Sequence, residues 1–396
     1  MVGADVVCLQ EVAPNSFEED FKFMEGLGYD GVEIFKKGRF RPATFWKKSR
    51  VELAAPPVHK DRTLLTCFRK KDDGGTEQQQ PPDSSKKPSQ QKEVKKSWYV
   101  LNCHLQAGKN AQRRVRQINE GVRAVLTLAR KQKEKDPEKS VRLIVCGDFN
   151  GGKECGAVRY LEDGYVDEKF IEDGDPATSS RKTMPLSAPM TDAATTIERD
   201  PPATLVVPEL ISQMVEGEEG TAYADPKLSK DVIRRLASIF ERLATHDVGA
   251  SDGSKRMNIQ DVENWLTIIN QQVGRGSEFR EAAKLMGWKD PKPEASFEER
   301  KTRIVLPPTG VLSLDDFIEV YEEELRNGKF WGIAHDLAVL GEPLPDAGVF
   351  QARFDRMYCS SAIKPVAIVD TTCSKPCPNH QEPSDHLPVA AVFTDL

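Results

Sequence analysis

The stretch VRLIVCGDFNG, at residues 141–151, decides the fold class of this chain. Five of its first six residues are apolar or a small cysteine, and several are β-branched, which predicts a buried strand. The strand ends in Gly-Asp-Phe-Asn-Gly, so it carries the acid Asp148 and the amide Asn150 at a tip where glycines let the backbone turn. An ordinary Asp/Asn turn has the same residues, so the other strand ends must decide whether this is a site.

Three other predicted strands also end in polar clusters. These are LQE at residues 9–11, NCHL at residues 102–105 and SDH at residues 384–386. One sheet edge would then bring together Glu11, Asn102, His104, Asp148, Asn150, Asp385 and His386. Carboxylate oxygens with open coordination positions suit Mg²⁺ or Mn²⁺. Such a metal polarises a phosphoryl oxygen while an acid–base pair activates water. The cluster has no cysteine, which argues against structural zinc.

The segments around these strands are typical of an α/β domain. Residues 98–105 predict a strand, and residues 112–131 predict an amphipathic helix that leads towards the GDFNG strand. Earlier in the chain, residues 40–50 and 51–58 predict a pair of strands, and residues 63–68 predict another. β-rich segments with few helices indicate a core made of two sheets.

Two segments interrupt this pattern. Residues 71–97 are rich in Gln, Ser, Pro and Lys and nearly free of apolar side chains, which predicts a disordered loop inserted between two strands. From residue 225 to residue 344, apolar residues recur at helical spacing, which predicts an all-α insert. The α/β domain would then consist of residues 1–224 and 345–396.

Composition excludes several classes of protein. The 396 residues are 38% apolar and 30% charged, and the net charge of −6 gives no overall basic footprint for nucleic acid. The apparent core strands contain Cys8, Cys67, Cys103 and Cys146, which indicates buried thiols in a reducing compartment. No apolar run reaches the length of a membrane span. We therefore expect an intracellular protein, cytoplasmic or nuclear.

Five motifs in order carry a family resemblance. LQE, NCHL, GDFN, FDRMY and SDH resemble the endonuclease/exonuclease/phosphatase superfamily, which includes DNase I, inositol polyphosphate 5-phosphatases and carbon-catabolite-repressor-type deadenylases. The resemblance covers residues 4–66, 98–192 and 350–396. FRPATFWKK also resembles the deadenylase-like branch, with Arg41-Pro42 where Gly-Cys is common. The resemblance implies a four-layer α/β/β/α two-sheet sandwich, here with an inserted all-α EF-hand-like domain.

The resemblance also implies roles for the matching residues. Glu11 would be a principal Mg²⁺ ligand, with Asp385 as a second carboxylate on the metal side. His104 would stabilise the charge that develops on the phosphoryl group, and Asn150 would hold the phosphate. Asp148 would orient or activate the water, or protonate the leaving group.

His386 would be a base or a phosphate contact. Asp355, from FDRMY, would orient it, because a carboxylate on one imidazole nitrogen fixes the tautomer at the other. Asn102 is expected to hold a loop, and Asp192, from TDA, is expected either at the site edge or on the surface. The family fold normally begins with another core strand that donates an Asn beside the metal. Because Met1 falls just before the LQE strand, we expect the natural protein to be longer.

The predicted insert contains two segments with one layout. In IQDVE at residues 259–263 and LSLDD at residues 312–316, an apolar residue is followed four residues later by an acid. This spacing resembles positions 8 and 12 of paired EF-hand loops, as in plant and algal calcium-binding members of the superfamily. Positions 1, 3 and 5 of the second loop would be Val305, Pro307 and Thr309, which offer almost no carboxylate. Ca²⁺ binding, docking of a protein partner and a plain helical spacer remain alternatives.

These observations predict Mg²⁺-dependent hydrolysis of a phosphoester. RNA 3′ ends are the favoured substrate, with calcium as a modulator, ahead of phosphoinositides or small phosphorylated nucleotides. The alternative from another class is a catalytically weak or truncated scaffold whose insert binds Ca²⁺ or a protein partner. The missing first strand favours the scaffold, whereas GDFN, SDH and Asp355 favour the enzyme.

Overall fold

The computed structural model describes most of the chain. The described residues are 3–14, 16–33, 41–71, 96–107, 111–132, 140–167, 169–172, 175–176, 183–198, 200–216, 226–245, 254–274, 276–289, 304–346, 348–369, 376–377 and 384–396. They form two compact units, which are described separately. Unit 1 comprises Met1–Val207 and Gln351–Leu396, and unit 2 comprises Pro208–Phe350.

Unit 1 contains a six-stranded sheet. Its strands are β4 (Val51–Lys60), β5 (Thr63–Lys70), β6 (Trp98–His104), β7 (Arg142–Asp148), β10 (Thr191–Asp192) and β13 (Asp355–Cys359). They are ordered β10-β13-β7-β6-β5-β4, and β6 and β7 run parallel while the other neighbours are antiparallel. The predicted GDFNG strand is therefore β7, in the middle of the sheet.

The side chains of β7 alternate between two apolar clusters. Leu143 and Val145 belong to the cluster that contains residues of the helices at residues 111–131 and 156–162. Ile144 and Cys146 belong to a second cluster, which also contains residues of another sheet. Successive side chains of a strand point to opposite faces, so Asp148 lies on the same face as Ile144 and Cys146. The acid at the tip of β7 therefore faces the other sheet.

That other sheet has three antiparallel strands, β1 (Val6–Val12), β2 (Tyr29–Glu33) and β3 (Arg41–Lys47), in the order β1-β3-β2. The prediction that residues 40–50 pair with residues 51–58 is wrong. After the turn at residues 48–50 the chain passes to the six-stranded sheet, where β4 pairs with β5. Trp46 and Val51 pack together in the cluster between the two sheets. Apolar strands joined by a short turn suggested a hairpin, but the turn joins two layers.

Helices cover the outer face of each sheet. The short helices α1 (Phe17–Asp20) and α2 (Lys22–Gly26) belong to the cluster of the three-stranded sheet, where the Phe17 and Phe45 rings stack with centroids 5.5 Å apart. The longer α3 (Ala111–Lys131) and α4 (Gly156–Glu162) pack on the six-stranded sheet. Helix α3 is the one predicted at residues 112–131. The order of layers is helices, sheet, sheet, helices, so the predicted α/β/β/α class is confirmed.

Shorter elements complete unit 1 and the segments where the chain enters and leaves unit 2. They are β8 (Ile171–Glu172), β9 (Asp175–Pro176), α5 (Ala193–Ile197), β11 (Leu205–Pro208), β12 (Val349–Ala352), β14 (Ile363–Val369) and β15 (Ala390–Asp395). They pair as β8-β9, β11-β12 and β14-β15.

Unit 2 is helical. Its helices are α6 (Ile211–Met214), α7 (Lys230–Leu243), α8 (Ile259–Asn270), α9 (Gly276–Leu285), α10 (Leu314–Arg326) and α11 (Phe330–Val339). Trp265 is fully buried beside Phe317, with ring centroids 4.9 Å apart, and its Nε1 donates to the Tyr321 hydroxyl at 3.1 Å. Met214 belongs to the same core, so the unit begins earlier than residue 225.

Other expectations have mixed outcomes. Of the predicted disordered loop at residues 71–97, only residues 71, 96 and 97 are among those described. Cys67, Cys103 and Cys146 are buried, and Cys8 is partly buried. In the part of the chain that the structure describes, no helix is both long enough and apolar enough to cross a membrane.

Candidate active site

Three predicted site residues lie in one row across the six-stranded sheet. In the parallel pair of β6 and β7, His104 is the partner of Asp148, and in the antiparallel pair of β13 and β7, Asp355 is the partner of Asp148. Neighbouring strands lie about 4.8 Å apart, so side chains of one row on one face meet. We call His104, Asp148 and Asp355 the site row.

His386 reaches the site row from the last segment of the chain. Its Nδ1 lies 2.7 Å from Asp355 Oδ2. Donor atoms of Asp148, Asp355 and His386 all lie within 4.8 Å of one another. Burial lowers the pKa of His386, but the hydrogen bond and charge of Asp355, with the charges of Asp148 and Asp385, outweigh burial and raise this pKa to about 9. The imidazole is therefore cationic at neutral pH and donates from Nδ1 to Asp355.

The GDFNG turn folds back on its own acid. The backbone N–H and Nδ2 of Asn150 donate to the two carboxylate oxygens of Asp148, at 2.7 Å each. Nδ2 also donates to the Leu105 carbonyl at 3.0 Å. This turn needs a φ of 49° at Asn150, in the left-handed region that residues other than glycine rarely adopt. Burial, and next the charge of Asp355, raise the pKa of Asp148 to about 7, so this carboxyl exchanges a proton near neutral pH.

A buried ion pair supports the same turn. Arg114, 3% exposed, donates from Nη1 to the Asn150 carbonyl at 2.8 Å and to the Gln106 carbonyl at 3.2 Å. Its Nη2 pairs with Glu172 Oε1 at 2.5 Å. The other oxygen of Glu172 accepts the Gly156 N–H at 2.8 Å, at the start of α4. Nothing in the sequence separated this arginine from the other basic residues of α3.

His104 is held neutral. Burial, and then the charge of Arg62, lower its pKa to about 4. Its Nε2 lies 3.5 Å from Asp148 Oδ2 and 3.9 Å from Glu11 Oε1. Its Nδ1 is buried and has no hydrogen-bond partner among the described residues. His104 therefore faces the acids as an uncharged imidazole.

Glu11 reaches the cleft through a break in the pattern of β1. Alternation would put Glu11 on the face of Val7 and Leu9, towards the helices. The pairing of β1 with β3 is irregular between Leu9 and Val12, and Glu11 has a φ of 55°. A bulge of this kind turns a side chain to the other face. The Glu11 side chain keeps 69% of its surface exposed, and its carboxylate faces His104.

Glu11 and Asp385 are two carboxylates that could hold a divalent metal. Partial desolvation at the edge of the cleft, and next the charge of Asp385, raise the pKa of Glu11, and the second cause means that the two carboxylates repel each other. A hard cation relieves such repulsion, and exposed carboxylate oxygens leave room for water and phosphate, as Mg²⁺ or Mn²⁺ requires. Asp148, Asp355 and His386 form a second group of suitable geometry, but hydrogen bonds among themselves and from Asn150 already engage them.

Asn102 is not part of the cleft. Its Nδ2 donates to the Leu9 carbonyl at 3.1 Å and to the Ala43 carbonyl at 2.8 Å, and its Oδ1 accepts from Gln10 Nε2 at 2.9 Å. The expectation that it holds a loop is corrected: it ties β6 to two strands of the facing sheet. A fully buried amide needs such partners, because unpaired polar groups are costly in a core.

Asp192 is neither on the surface nor open to the cleft. It is buried, and its two oxygens pair with the guanidinium of Arg353 at 2.7 and 2.8 Å. One oxygen also accepts the Ala194 N–H at 3.0 Å and so caps α5. Its role is structural.

The sequence patterns did not identify Arg62 as a residue near the site. It lies in the turn between β4 and β5, with a φ of 62°, and its carbonyl accepts the His104 N–H at 3.0 Å. Its charge lowers the pKa of both Glu11 and His104, so a guanidinium lies near the cleft. A left-handed non-glycine residue was the only signal, and φ is not visible in a sequence.

In unit 2, one backbone pairing corrects the EF-hand register. Met257 and Leu312 exchange two N–H···O=C bonds of 2.9 Å each, as an isolated antiparallel bridge. If these are the two position 8 residues, the acid four residues after Met257 is Asp261. The predicted pairing of Ile259 with Glu263 is therefore shifted by two residues.

The acids at the two position 12 sites are engaged within the chain. Asp261 accepts from the backbone of Asn258 and from both the backbone and the hydroxyl of Thr245. Asp316 accepts from the backbone and hydroxyl of Ser313. Both acids close capping boxes at helix starts. The EF-hand interpretation of unit 2 stays a prediction.

No protein-family model and no curated protein matches the chain. Among solved structures, it is similar to the human Nocturnin catalytic domain with a bound sulfate anion (18% identity, 51% of this chain, 65% of that chain, TM-score 0.33). It is also similar to D. rerio TDP2 complexed with a single-strand DNA product (14%, 98%, 86%, 0.39) and to an endonuclease/exonuclease/phosphatase family protein from Bacteroides thetaiotaomicron (15%, 40%, 55%, 0.29). The Bacteroides protein is described as a member of the endonuclease/exonuclease/phosphatase family, the family that the five motifs resemble. The chain spans less than two thirds of the Nocturnin structure.

Proposed function

We propose that unit 1 hydrolyses phosphoester bonds with a divalent metal, and that its substrate is RNA. One arrangement carries the proposal. The site row and His386 place a cationic imidazole, a neutral imidazole and a carboxyl with a pKa of about 7 around one cleft. Attack of water on a phosphoester is helped by a positively charged group that contacts the phosphate oxygens and by a group that exchanges a proton.

Asp148 is the proposed proton-transfer group. General acid–base catalysis works best when the pKa of the group is near the working pH, and burial brings the pKa of Asp148 to about 7. The two hydrogen bonds from Asn150 fix the orientation of its carboxyl group. Asn150 is then a positioning residue as well as a candidate contact for the phosphate.

His386 is proposed to contact the phosphate as a cation. With a pKa of about 9, it is protonated at neutral pH, which suits charge stabilisation better than proton abstraction. Asp355 orients the ring through Nδ1 and leaves Nε2 for the substrate. His104, held neutral, would offer a hydrogen bond to a phosphoryl oxygen.

Glu11 and Asp385 are the proposed metal ligands. Their mutual repulsion and the exposure of Glu11 support a site for Mg²⁺, with Mn²⁺ as the alternative. When bound, the ion would polarise a phosphoryl oxygen and offset the charge of the substrate. Holding that ion is the task of these two carboxylates.

RNA, acted on at 3′ ends, is favoured by the deadenylase-like FRPATFWKK segment. Most of that segment is β3, whose middle is buried, so it reports the branch of the superfamily and does not touch substrate. A phosphoinositide or a small phosphorylated nucleotide is the alternative substrate. Buried free thiols favour a reducing compartment, cytoplasmic or nuclear. In unit 2, Ca²⁺ binding and docking of a protein partner are the competing proposals, and the engaged carboxylates of Asp261 and Asp316 favour docking.

The test is hydrolysis of labelled oligo(A) RNA, a generic phosphodiester and an inositol polyphosphate by the full chain, with Mg²⁺ or with EDTA. Asp148→Asn keeps the shape of the side chain and removes the charge. Asp163→Asn, at an exposed aspartate after α4, is the matched control.

Mg²⁺-dependent release of nucleotides from RNA, lost in Asp148→Asn and kept in Asp163→Asn, is the expected result. Cleavage of the inositol polyphosphate alone would support the proposed hydrolase activity and would contradict RNA as the substrate. Absence of Mg²⁺-dependent hydrolysis from every substrate would favour the scaffold, in which unit 2 carries the function.

A further inference from the structure

Thr204 lies where two segments of the proposed site meet. It is 2% exposed and comes directly before β11. Its hydroxyl oxygen accepts two backbone N–H groups, from Phe354 at 3.1 Å and from Asp355 at 2.9 Å. Its carbonyl accepts the Leu387 N–H at 2.6 Å. One residue thus holds the backbone of Asp355 and the backbone next to His386.

The surrounding contacts strengthen this link. Leu205, the next residue, forms an antiparallel bridge with His386, and the Thr204 N–H donates to the Ala352 carbonyl at 3.0 Å. Thr204 therefore joins the start of β13 to the SDH segment. These two parts of the chain carry Asp355 and His386, which form one hydrogen bond.

The same segment also reaches the GDFNG turn. The Phe149 N–H donates to the Phe354 carbonyl at 3.0 Å, so the peptide held by Thr204 is bonded to the residue after Asp148. A shift of the segment at residues 353–355 would move the acid on β13 and disturb the turn on β7. Site geometry of this kind is sensitive, because a misplacement of about 1 Å can cost about 100-fold in rate.

A hydroxyl is the group that this position requires. The oxygen has two lone pairs and takes one N–H on each. A valine has nearly the same shape but no acceptor, so it would leave two N–H groups buried without partners, and the backbone would move to find others. Serine keeps the acceptor and loses one methyl group.

We propose that Thr204 is a positioning residue, which keeps Asp355 and His386 at hydrogen-bond distance by holding the backbone of Asp355 and the backbone of Leu387, next to His386. The proposal concerns the site that carries the proposed hydrolase function and rests on that function for its catalytic consequence. Thr204 touches no reacting atom, so its effect acts through the Asp355–His386 contact.

The experiment compares Thr204→Val and Thr204→Ser with the wild-type full chain. Thr66→Val is the matched control, since Thr66 is also fully buried in unit 1 and its hydroxyl donates to the Val100 carbonyl at 3.4 Å. Two quantities are measured: kcat and KM with Mg²⁺ and the substrate found active, and the proton NMR signal of the His386 Nδ1–H. His386→Gln identifies that signal by removing it.

Thr204→Val should lower kcat by about 10- to 100-fold with KM changed by less than about 3-fold. The His386 Nδ1–H signal should shift or broaden. Thr204→Ser and Thr66→Val should keep both the rate and the signal. A general loss of packing would affect Thr66→Val too, whereas loss of the Thr204 acceptor affects only one variant.

An unchanged His386 signal in folded Thr204→Val would overturn the proposal, whether or not the chain proves to be a hydrolase. If Thr204→Val does not fold, Thr204→Ser decides: a folded serine variant that loses more than about 10-fold in kcat, or loses the signal, also overturns it. If no substrate is hydrolysed, the proposed function fails, and the NMR signal alone tests the role of Thr204.

Discussion

The Nδ1 of His386 lies 2.7 Å from the Oδ2 of Asp355, although 31 positions separate the two residues. Asp355 begins β13, and His386 lies in the segment before β15. The contact therefore exists only when the closing segment of unit 1 has folded against the six-stranded sheet. It also makes the imidazole a cation at neutral pH, because the carboxylate raises the pKa of His386 to about 9.

Asp355→Asn tests this contact directly. The amide keeps the volume of the side chain and removes the charge that orients and protonates His386. We expect kcat to fall by about 10²- to 10⁴-fold with a small change in KM, as steady-state kinetics would measure. Asp395→Asn is the control, because Asp395 pairs with Arg142 instead. Equal losses in both variants would point to general destabilisation.

Glu11→Gln tests the metal site. Replacing a carboxylate ligand by an amide weakens binding of a hard cation. The Mg²⁺ concentration that gives half-maximal activity should rise by about 10-fold or more, with partial recovery at saturating Mg²⁺. Glu25→Gln, on α2, should leave the Mg²⁺ titration unchanged. An unaltered Mg²⁺ requirement in Glu11→Gln would remove Glu11 from the ligand set.

The stability of unit 1 should depend on pH through His386. Its folded pKa of about 9 lies above the ordinary histidine pKa of 6.5, so the contribution is complete below pH 6.5 and is lost as the pH rises through 9. The difference is about 3 kcal/mol. Urea unfolding in EDTA, followed by NMR signals of β6 and β7 amides, should show this decline. His386→Gln should lack it, and Asp148→Asn should keep the larger share of it, because Asp355 raises the pKa of His386 more than Asp148 does.

Arg114→Met should destabilise unit 1 by about 3–5 kcal/mol, because it leaves Glu172 charged and buried without its partner. Arg114→Met with Glu172→Gln should recover part of the loss, since glutamine still accepts the Gly156 N–H. Arg116→Met, whose side chain is 43% exposed, should cost less than about 1 kcal/mol. Denaturant unfolding measures all three variants. If the double variant is no more stable than Arg114→Met, the lost stability comes from the hydrogen bond to the Asn150 carbonyl and not from unpaired Glu172.

Ca²⁺ should not bind through Asp261 and Asp316. Both carboxylates already accept hydrogen bonds that begin α8 and α10. Their amide NMR signals should stay in place as Ca²⁺ is raised to about 1 mM, above the range of sensor sites. A saturable shift below about 10 μM would restore the calcium-sensor interpretation of unit 2.

The polar ends of the predicted strands were enough to expect His104 and Asp148 at one sheet edge, and alternation of side chains agrees with their shared face. His104 follows Val100 by four residues and Asp148 follows Cys146 by two, so each lies on the face that its apolar neighbours bury between the sheets. Because β6 and β7 are parallel neighbours, their ends meet at one edge. The residues of β6 and β7 could therefore be placed together from the sequence.

Glu11 could not be placed on the correct face in this way. Its position in β1 predicts the opposite face, and the bulge that reverses it depends on pairing with β3, which is a tertiary contact. A weak signal exists, since partly buried Leu9 and buried Val12 pack in the same cluster but are separated by three positions instead of two or four. The hairpin predicted for residues 40–58 failed for a similar reason: local pattern does not say which sheet a strand joins.

Because His104, Asp148 and Asp355 lie in one row, activity should depend on the correct register of three strands. Strand pairing by one residue out of register turns every side chain of that strand to the other face. A molecule with β6, β7 or β13 mispaired would therefore lose at least one of the three groups completely. Such molecules would be inactive instead of partly active or altered in specificity. The activity of a preparation would then be proportional to the fraction of molecules whose strands pair in the correct register.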